Sequence, residues 1–67
     1  MENWTLVYAS PEPHKINILE SLLEENEIEF RELNKSDSVY PMMSEIELYV
    51  KSQDDIFTRL LIDQHRL

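Results

Sequence analysis

The chain has 67 residues, 14 of them acidic and 6 basic, so its formal net charge is −8, and it contains neither cysteine nor glycine. The length predicts one domain, spanning residues 1–67, near the lower size at which a core is stable without disulfides, metals or oligomerisation. The missing residue types exclude disulfides, thiolate zinc sites and glycine-rich phosphate loops, and the negative charge argues against binding to nucleic acid or to an anionic membrane.

The first predicted element is a β-strand over Trp4–Ala9. Aromatic and β-branched residues are enriched in strands, and successive side chains of a strand point to opposite faces. One face carries Trp4, Leu6 and Tyr8. The other face is also largely apolar, which is typical of a strand covered on both sides.

A helix is predicted after the segment Ser10-Pro-Glu-Pro. We expect Ser10 to cap the first turn, where proline is tolerated because the N–H groups have no partner inside the helix. The apolar residues at helical spacing are Ile16, Leu19, Leu22 and Leu23. Because the chain has no glycine, Asn26 is the residue expected to adopt the left-handed conformation that ends the helix.

Two further strands are predicted. Ile28–Leu33 alternates as a half-exposed edge strand does, and Glu45–Lys51 alternates more cleanly. The residues of Glu45–Lys51 expected to face inward are Ile46, Leu48 and Val50. Tyr49 is expected to face outward.

The last predicted element is a helix that begins at Ser52-Gln-Asp-Asp55, a segment that fits a capping box. Its apolar stripe consists of Ile56, Phe57, Leu60 and Leu61.

The order of the predicted elements indicates a ferredoxin-like β-α-β-β-α fold of the α+β class. In this fold the third strand lies between the first two in an antiparallel sheet, with both helices on one face. The first strand is then an edge, and its unpaired backbone groups invite another chain.

Four motifs indicate a resemblance to a known family: Trp4-Thr-Leu-Val-Tyr8, Leu22-Leu23-Glu24, Asp37-Ser-Val-Tyr-Pro41 and Ile46-Glu-Leu-Tyr-Val50. In order and spacing, over nearly the whole chain, they resemble a small bacterial family, the prokaryotic signal-transducing proteins (a domain of unknown function, DUF-two-thousand-seven). The family usually has glycine where Glu27 stands and often near Ser44, whereas this chain has neither. The resemblance implies a ferredoxin-like fold and a regulatory role in signal transduction. It implies no ligand, activity or catalytic residue.

The loop Lys35–Met43 mixes polar residues with Tyr40, Met42 and Met43. These apolar side chains either fold back over the small core or form a contact surface, since methionine adapts to irregular surfaces. In the second case, Asp37 and Tyr40 would hydrogen-bond a peptide or a small ligand.

Candidate chemistry is sparse. His14 and His65 are expected at opposite ends of the two helices without a ligand-spaced partner, so no metal site is predicted. Asp54 and Asp55 would point about 100° apart on a helix, which favours a role at the helix start over a paired-carboxylate site. No serine lies in a nucleophile-elbow pattern. We therefore expect neither an enzyme nor a cofactor.

Two functional hypotheses follow. The first is a non-enzymatic regulatory or protein-interaction module that acts as a homo-oligomer, joined through the first strand or the open sheet face. Its candidate interface residues are Trp4, Leu6, Tyr8 and Tyr49. The alternative is a small-molecule sensor that holds its ligand at the subunit interface or under the Lys35–Met43 loop.

The location and the acidity of the chain give weaker indications. Met1–Asn3 lacks the basic start of a signal peptide, and no apolar run approaches the roughly 20 residues that cross a bilayer, so a cytoplasmic protein is expected. The acidity is typical of a solubilising surface, and alternatively it would steer a basic partner toward the molecule.

Overall fold

The computed structural model describes residues 3–35 and 45–67. Within these ranges the chain forms three strands and two α-helices, joined in part by a 3-10 turn over Ser52–Asp54. In chain order they are β1 (Trp4–Ser10), α1 (Pro13–Glu25), β2 (Phe30–Lys35), β3 (Glu45–Lys51) and α2 (Asp55–Gln64). The strands form an antiparallel sheet in the order β1-β3-β2. The predicted α+β class, strand order and edge position of β1 are confirmed.

The core lies between the sheet and the two helices. Its buried apolar residues are Val7, Ile16, Leu19, Leu23, Ile28, Leu48, Val50 and Leu61. The central strand β3 contributes Leu48 and Val50, both fully buried, which confirms the inward face predicted from its alternation. The edge strand β2 contributes only the half-buried Phe30, because its remaining residues are exposed.

β1 contains a bulge that reverses its faces. The register with β3 shifts between Leu6 and Tyr8, so that Val7 is the extra residue. Before the bulge Leu6 lies opposite Tyr49, and after it Tyr8 lies opposite Leu48. Because directly opposite residues share a face of the sheet, β1 changes faces at Val7.

Strict alternation predicts that Tyr8 shares a face of the sheet with Trp4 and Leu6. The bulge instead places Tyr8 on the opposite face. Tyr8 packs against the core, and its hydroxyl donates to the carbonyl oxygen of Leu67 at 3.1 Å. One inserted residue moves every later side chain of a strand to the other face, and simple alternation cannot reveal it.

The predicted capping role of Ser10 is wrong, because α1 begins later than expected. Pro13 occupies the first helical position, where its fixed φ suits the helix, so the cap position falls on Glu12. The hydroxyl of Ser10, which is still in β1, accepts instead from the N–H of Glu12 at 3.1 Å. The Glu12 carboxylate pairs with the ammonium group of Lys15 at 2.9 Å.

The end of α1 also differs from the prediction. Asn26 has φ −99°, and the left-handed residue is Glu27, with φ 57°. The N–H of Glu27 donates to the carbonyl of Glu24 at 3.1 Å, and the N–H of Ile28 donates to the carbonyl of Leu23 at 2.9 Å. This pattern is a Schellman motif, in which the apolar residue after the left-handed one is buried beside the last turn.

Two expectations for α2 are corrected. Ser52 does not form a capping box, since its hydroxyl lies 2.9 Å from the hydroxyl of Thr5. The predicted apolar stripe is largely exposed, and only Leu61 of its four residues is buried. Thr58, Leu61 and the half-buried Ile62 also recur at spacings of three and four, and this is the side that faces the sheet.

Candidate interaction surface

The open sheet face is the side of the sheet that points away from the helices. Its members are identified by their pairing with Tyr49 and the alternate residues of β3. They are Trp4, Leu6 and Ala9 of β1, Glu45, Glu47, Tyr49 and Lys51 of β3, and Arg31, Leu33 and Lys35 of β2. Leu6 and Leu33 are each 40% exposed, so the face presents apolar side chains among charged ones.

One end of this face is ordered by a contact between its two outer strands. The guanidinium group of Arg31 lies 4.8 Å from the centroid of the Trp4 ring. Trp4 belongs to β1 and Arg31 to β2, so the contact passes over the central strand β3. A cation–π contact at an exposed site contributes about 0.5–1 kcal/mol. It holds the indole and the guanidinium group over the sheet.

Glu47 is a nearly buried carboxylate on the same face, with 8% of its surface exposed. Its Oε1 accepts a hydrogen bond from the Tyr49 hydroxyl at 2.9 Å, and Lys35 Nζ lies 3.5 Å from the same oxygen. The hydrogen bond to Glu47 raises the pKa of Tyr49. A desolvated carboxylate is tolerated only with such partners, so the three side chains are held in one arrangement.

Charge divides the molecule into two unlike sides. The open sheet face holds three basic residues, Arg31, Lys35 and Lys51, and two acidic ones, Glu45 and Glu47. Glu29, whose carboxylate lies 3.4 Å from Lys51 Nζ, is counted with this face and brings its net charge to zero. On the helix side, residues 12–27 and 52–66 hold eight acidic residues against three basic ones, a net charge of −5. The open sheet face is therefore the surface that another acidic molecule can approach with the least repulsion.

The outer edge of β1 is partly covered. Arg59 of α2 donates from Nη2 to the carbonyl oxygen of Leu6 at 3.2 Å, and its Nε donates to the carboxylate of Asp55. The N–H of Ser52 donates to the carbonyl of Asn3, which therefore faces β3. Because carbonyl direction alternates along an antiparallel ladder, the carbonyl of Leu6, three residues later, points away from β3, and the bond from Arg59 fills an acceptor that an added strand would use. A bulge and a charged side chain are both devices that protect sheet edges from pairing.

The residues predicted for the site have different outcomes. Trp4, Leu6 and Tyr49 come together on the open sheet face, and Tyr8 does not join them. The predicted contact residues of the loop, Asp37, Tyr40, Met42 and Met43, lie outside the residues that the structure describes. Sequence reasoning missed Arg31 and Glu47, whose roles depend on cross-strand neighbours and become visible only when the register is known.

Other site chemistry is limited in residues 3–35 and 45–67. No group of three or more His, Cys, Asp or Glu residues there could hold a metal ion, and no helix there is long and apolar enough to span a membrane. A shallow cavity of about 370 Å3 opens at the end of β3. It is lined by Asn3, Lys51, Ser52 and Gln53, which bring together neither a nucleophile with a base nor an acid pair.

Comparison with known proteins identifies no relative: no family model, no curated protein and no solved structure matches this chain. The resemblance to the prokaryotic signal-transducing proteins therefore stays a prediction.

Proposed function

We propose that this chain is a non-enzymatic protein-interaction module that associates with a second copy of itself through the open sheet face. A regulatory role in signal transduction, as the sequence resemblance implies, is part of the same proposal. The observation that carries it is the combination of ordered aromatic and apolar side chains with zero net charge on one face of an otherwise acidic molecule.

Electrostatics favours this face over the rest of the surface. Two helix sides, each with a net charge of −5, would repel each other, whereas two neutral faces would not. The face carries both signs of charge, so a two-fold arrangement lets basic residues of one copy meet acidic residues of the other. Self-complementarity of this kind is what an interface between identical copies requires.

The open sheet face is also favoured over the β1 edge, the other route to association predicted from the sequence. The edge carbonyl of Leu6 already accepts from Arg59, and the bulge at Val7 interrupts the regular ladder. An added strand would have to displace that bond and adapt to the bulge. Association through the face leaves both features intact.

The size of the face predicts a weak dimer. Three strands about 4.8 Å apart and roughly seven residues long at about 3.3 Å per residue give a face of roughly 14 by 23 Å. Burying it against a second copy covers roughly 320 Å2 on each subunit, about 640 Å2 in all, which is below the roughly 1,200 Å2 at which standard specific interfaces begin and is typical of weak, transient contacts. We therefore expect a dissociation constant in the micromolar range, so that the fraction of the protein present as dimer changes with protein concentration.

Sedimentation velocity over a concentration series tests the proposal. The wild-type chain should shift from monomer to dimer, and Leu6→Glu should remain monomeric because it places a charge in the apolar centre of the face. Ile18→Glu is the matched control: Ile18 is 46% exposed on α1, and the variant adds the same charge on the helix side.

Trp4, the single tryptophan, provides a second readout because it lies on the proposed interface. Its emission should shift to longer wavelength as the wild-type protein is diluted, and this shift should be absent in Leu6→Glu. A wild-type chain that stays monomeric at several hundred micromolar, or a Leu6→Glu variant that dimerises as well as Ile18→Glu, would contradict the proposal.

A further inference from the structure

A second apolar surface lies on the solvent side of α2. It consists of Ile56, Phe57 and Leu60, whose surfaces are 77, 47 and 55% exposed. Leu60 follows Phe57 by three positions and Ile56 by four, so the three side chains are neighbours on the helix surface. We call them the α2 stripe. Because Thr58 and Leu61 are the residues of α2 that are buried toward the sheet, the α2 stripe points away from the open sheet face.

The grouping of these side chains distinguishes them from ordinary exposed residues. A single exposed leucine or isoleucine is common on a protein surface and has no special meaning. Three large apolar side chains within five consecutive positions form a contiguous patch, and such patches are typical of docking surfaces. The spacing also matches the anchor positions by which two helices pack side by side.

The helix layer that carries the α2 stripe is acidic as a whole, although residues 52–66 themselves hold three acidic residues against two basic ones. The helix side carries a net charge of −5, and two of its three basic residues are already engaged, since Lys15 pairs with Glu12 and Arg59 with Asp55. Asp63, three positions after Leu60, adds an exposed carboxylate beside the stripe. A second copy of the chain and an anionic membrane would both be repelled here, and a basic partner would be attracted.

We propose that the α2 stripe binds a basic amphipathic helix of a partner protein. The apolar side of such a helix would cover the stripe, and its lysine and arginine residues would meet the surrounding carboxylates. This site is separate from the open sheet face and does not depend on self-association. A dimer formed through the open sheet face would display one α2 stripe on each subunit, facing outward.

The probe is a fluorescently labelled peptide of leucine and lysine, about 18 residues or five helical turns long, with leucine on one side of the helix. Anisotropy is followed as the full chain is added at low and at physiological salt. We expect saturable binding that weakens as salt rises. A scrambled peptide of the same composition controls for charge alone, and a leucine–glutamate peptide controls for apolar contact alone; neither should saturate.

Leu60→Gln should weaken peptide binding about tenfold, because it removes one large apolar side chain from the contact. Leu60→Met is the matched control and should retain the wild-type affinity, since methionine keeps the apolar volume. Leu60 is more than half exposed, so both variants should keep the wild-type fold, which circular dichroism verifies.

Several outcomes would overturn the proposal. Equal binding of the scrambled peptide would mean that charge attraction alone explains the binding. Unchanged affinity of Leu60→Gln for the leucine–lysine peptide would mean that the peptide binds at another surface. Leu60-dependent binding to phosphatidylglycerol vesicles would identify a lipid surface as the occupant. A loss of self-association in Leu60→Gln without any peptide would identify a second copy of the chain.

Discussion

The carboxyl group of Glu20 on α1 lies within reach of the carboxyl group of Glu32 on β2, whose pairing with the buried Leu48 places it on the helix side of the sheet. Desolvation by burial, followed by hydrogen bonding with Glu32 and by the negative charges of Glu32 and Glu24, raises the pKa of Glu20 from 4.5 to about 7. Two neighbouring carboxyl groups repel each other when both are ionised, and this repulsion favours a state in which they hold one proton between them. At neutral pH this pair is therefore poised between one charge and two.

The acid pair predicts that the native state loses stability as pH rises. A pKa raised by folding means that the folded state binds the proton more tightly than the unfolded state. The contribution is fully present below about pH 4.5 and is lost as pH rises through about 7. Glu20→Gln should remove this pH dependence. At pH 8 its free energy of unfolding should exceed that of the wild type by about 1 kcal/mol, a value discounted because the pair is partly exposed to solvent.

Urea denaturation at pH 4.5, 6 and 8 measures this effect. Glu25→Gln is the control, because it removes the same charge from an exposed position at the end of α1. The two variants should differ most at pH 8 and least at pH 4.5. Identical pH profiles for both variants would refute the role of the pair.

Glu27→Gly should stabilise the protein by about 1 kcal/mol. Glu27 has φ 57° in the Schellman motif that ends α1, and a left-handed conformation costs a residue with a Cβ atom about 1–2 kcal/mol. The greater flexibility of glycine in the unfolded state offsets part of this gain. Thermal unfolding measures the change, with Glu24→Gly as a control that should destabilise because residue 24 lies within the helix. A lower melting temperature for Glu27→Gly would show that the strain is absent.

Thr58→Val should also stabilise the protein, by about 1 kcal/mol. Thr58 is fully buried on α2, and within the part of the chain that the structure describes its Oγ1 has no hydrogen-bond partner. A buried hydroxyl without a partner costs about 1–3 kcal/mol, and valine keeps the shape of the side chain without that cost. Thr58→Ala separates the two effects, since it removes the hydroxyl and leaves a cavity. Chemical denaturation should rank valine above threonine and threonine above alanine, and any loss of stability in Thr58→Val would indicate a partner for the hydroxyl.

Arg59→Met should promote aggregation through the β1 edge. The substitution removes the donor to the Leu6 carbonyl and exposes an unpaired acceptor on an edge strand. Arg66→Met is the control, because it makes the same change of charge at an exposed residue after α2. Light scattering and thioflavin fluorescence during prolonged incubation should rise faster for Arg59→Met than for Arg66→Met. Equal rates in the two variants would mean that Arg59 does not protect the edge.

Much of the fold was predictable from local patterns. The alternation in β3, the helical spacing in α1 and the order of the elements led to the antiparallel sheet β1-β3-β2 and to an edge position for β1. Part of the candidate surface was predictable as well, because Tyr49 had to face away from the helices once Leu48 and Val50 faced inward. The alternation and the helical spacing depend on residues a few positions apart and are present in the sequence itself, and the strand order followed from the handedness of the crossover and the ferredoxin-like arrangement.

Most of the remaining features were decided by tertiary packing. The bulge at Val7 and the side of α2 that turns inward depend on contacts between distant residues, whereas the left-handed Glu27 belongs to a local motif that the sequence does not signal because the chain has no glycine. A strand pattern does not contain its own register, and a helix with two possible apolar stripes does not state which one the sheet will cover. The sequence by itself therefore determined which elements form and in what order. Packing between those elements decided which side chains they present, and so separated Tyr8 from Trp4 and left the α2 stripe in solvent.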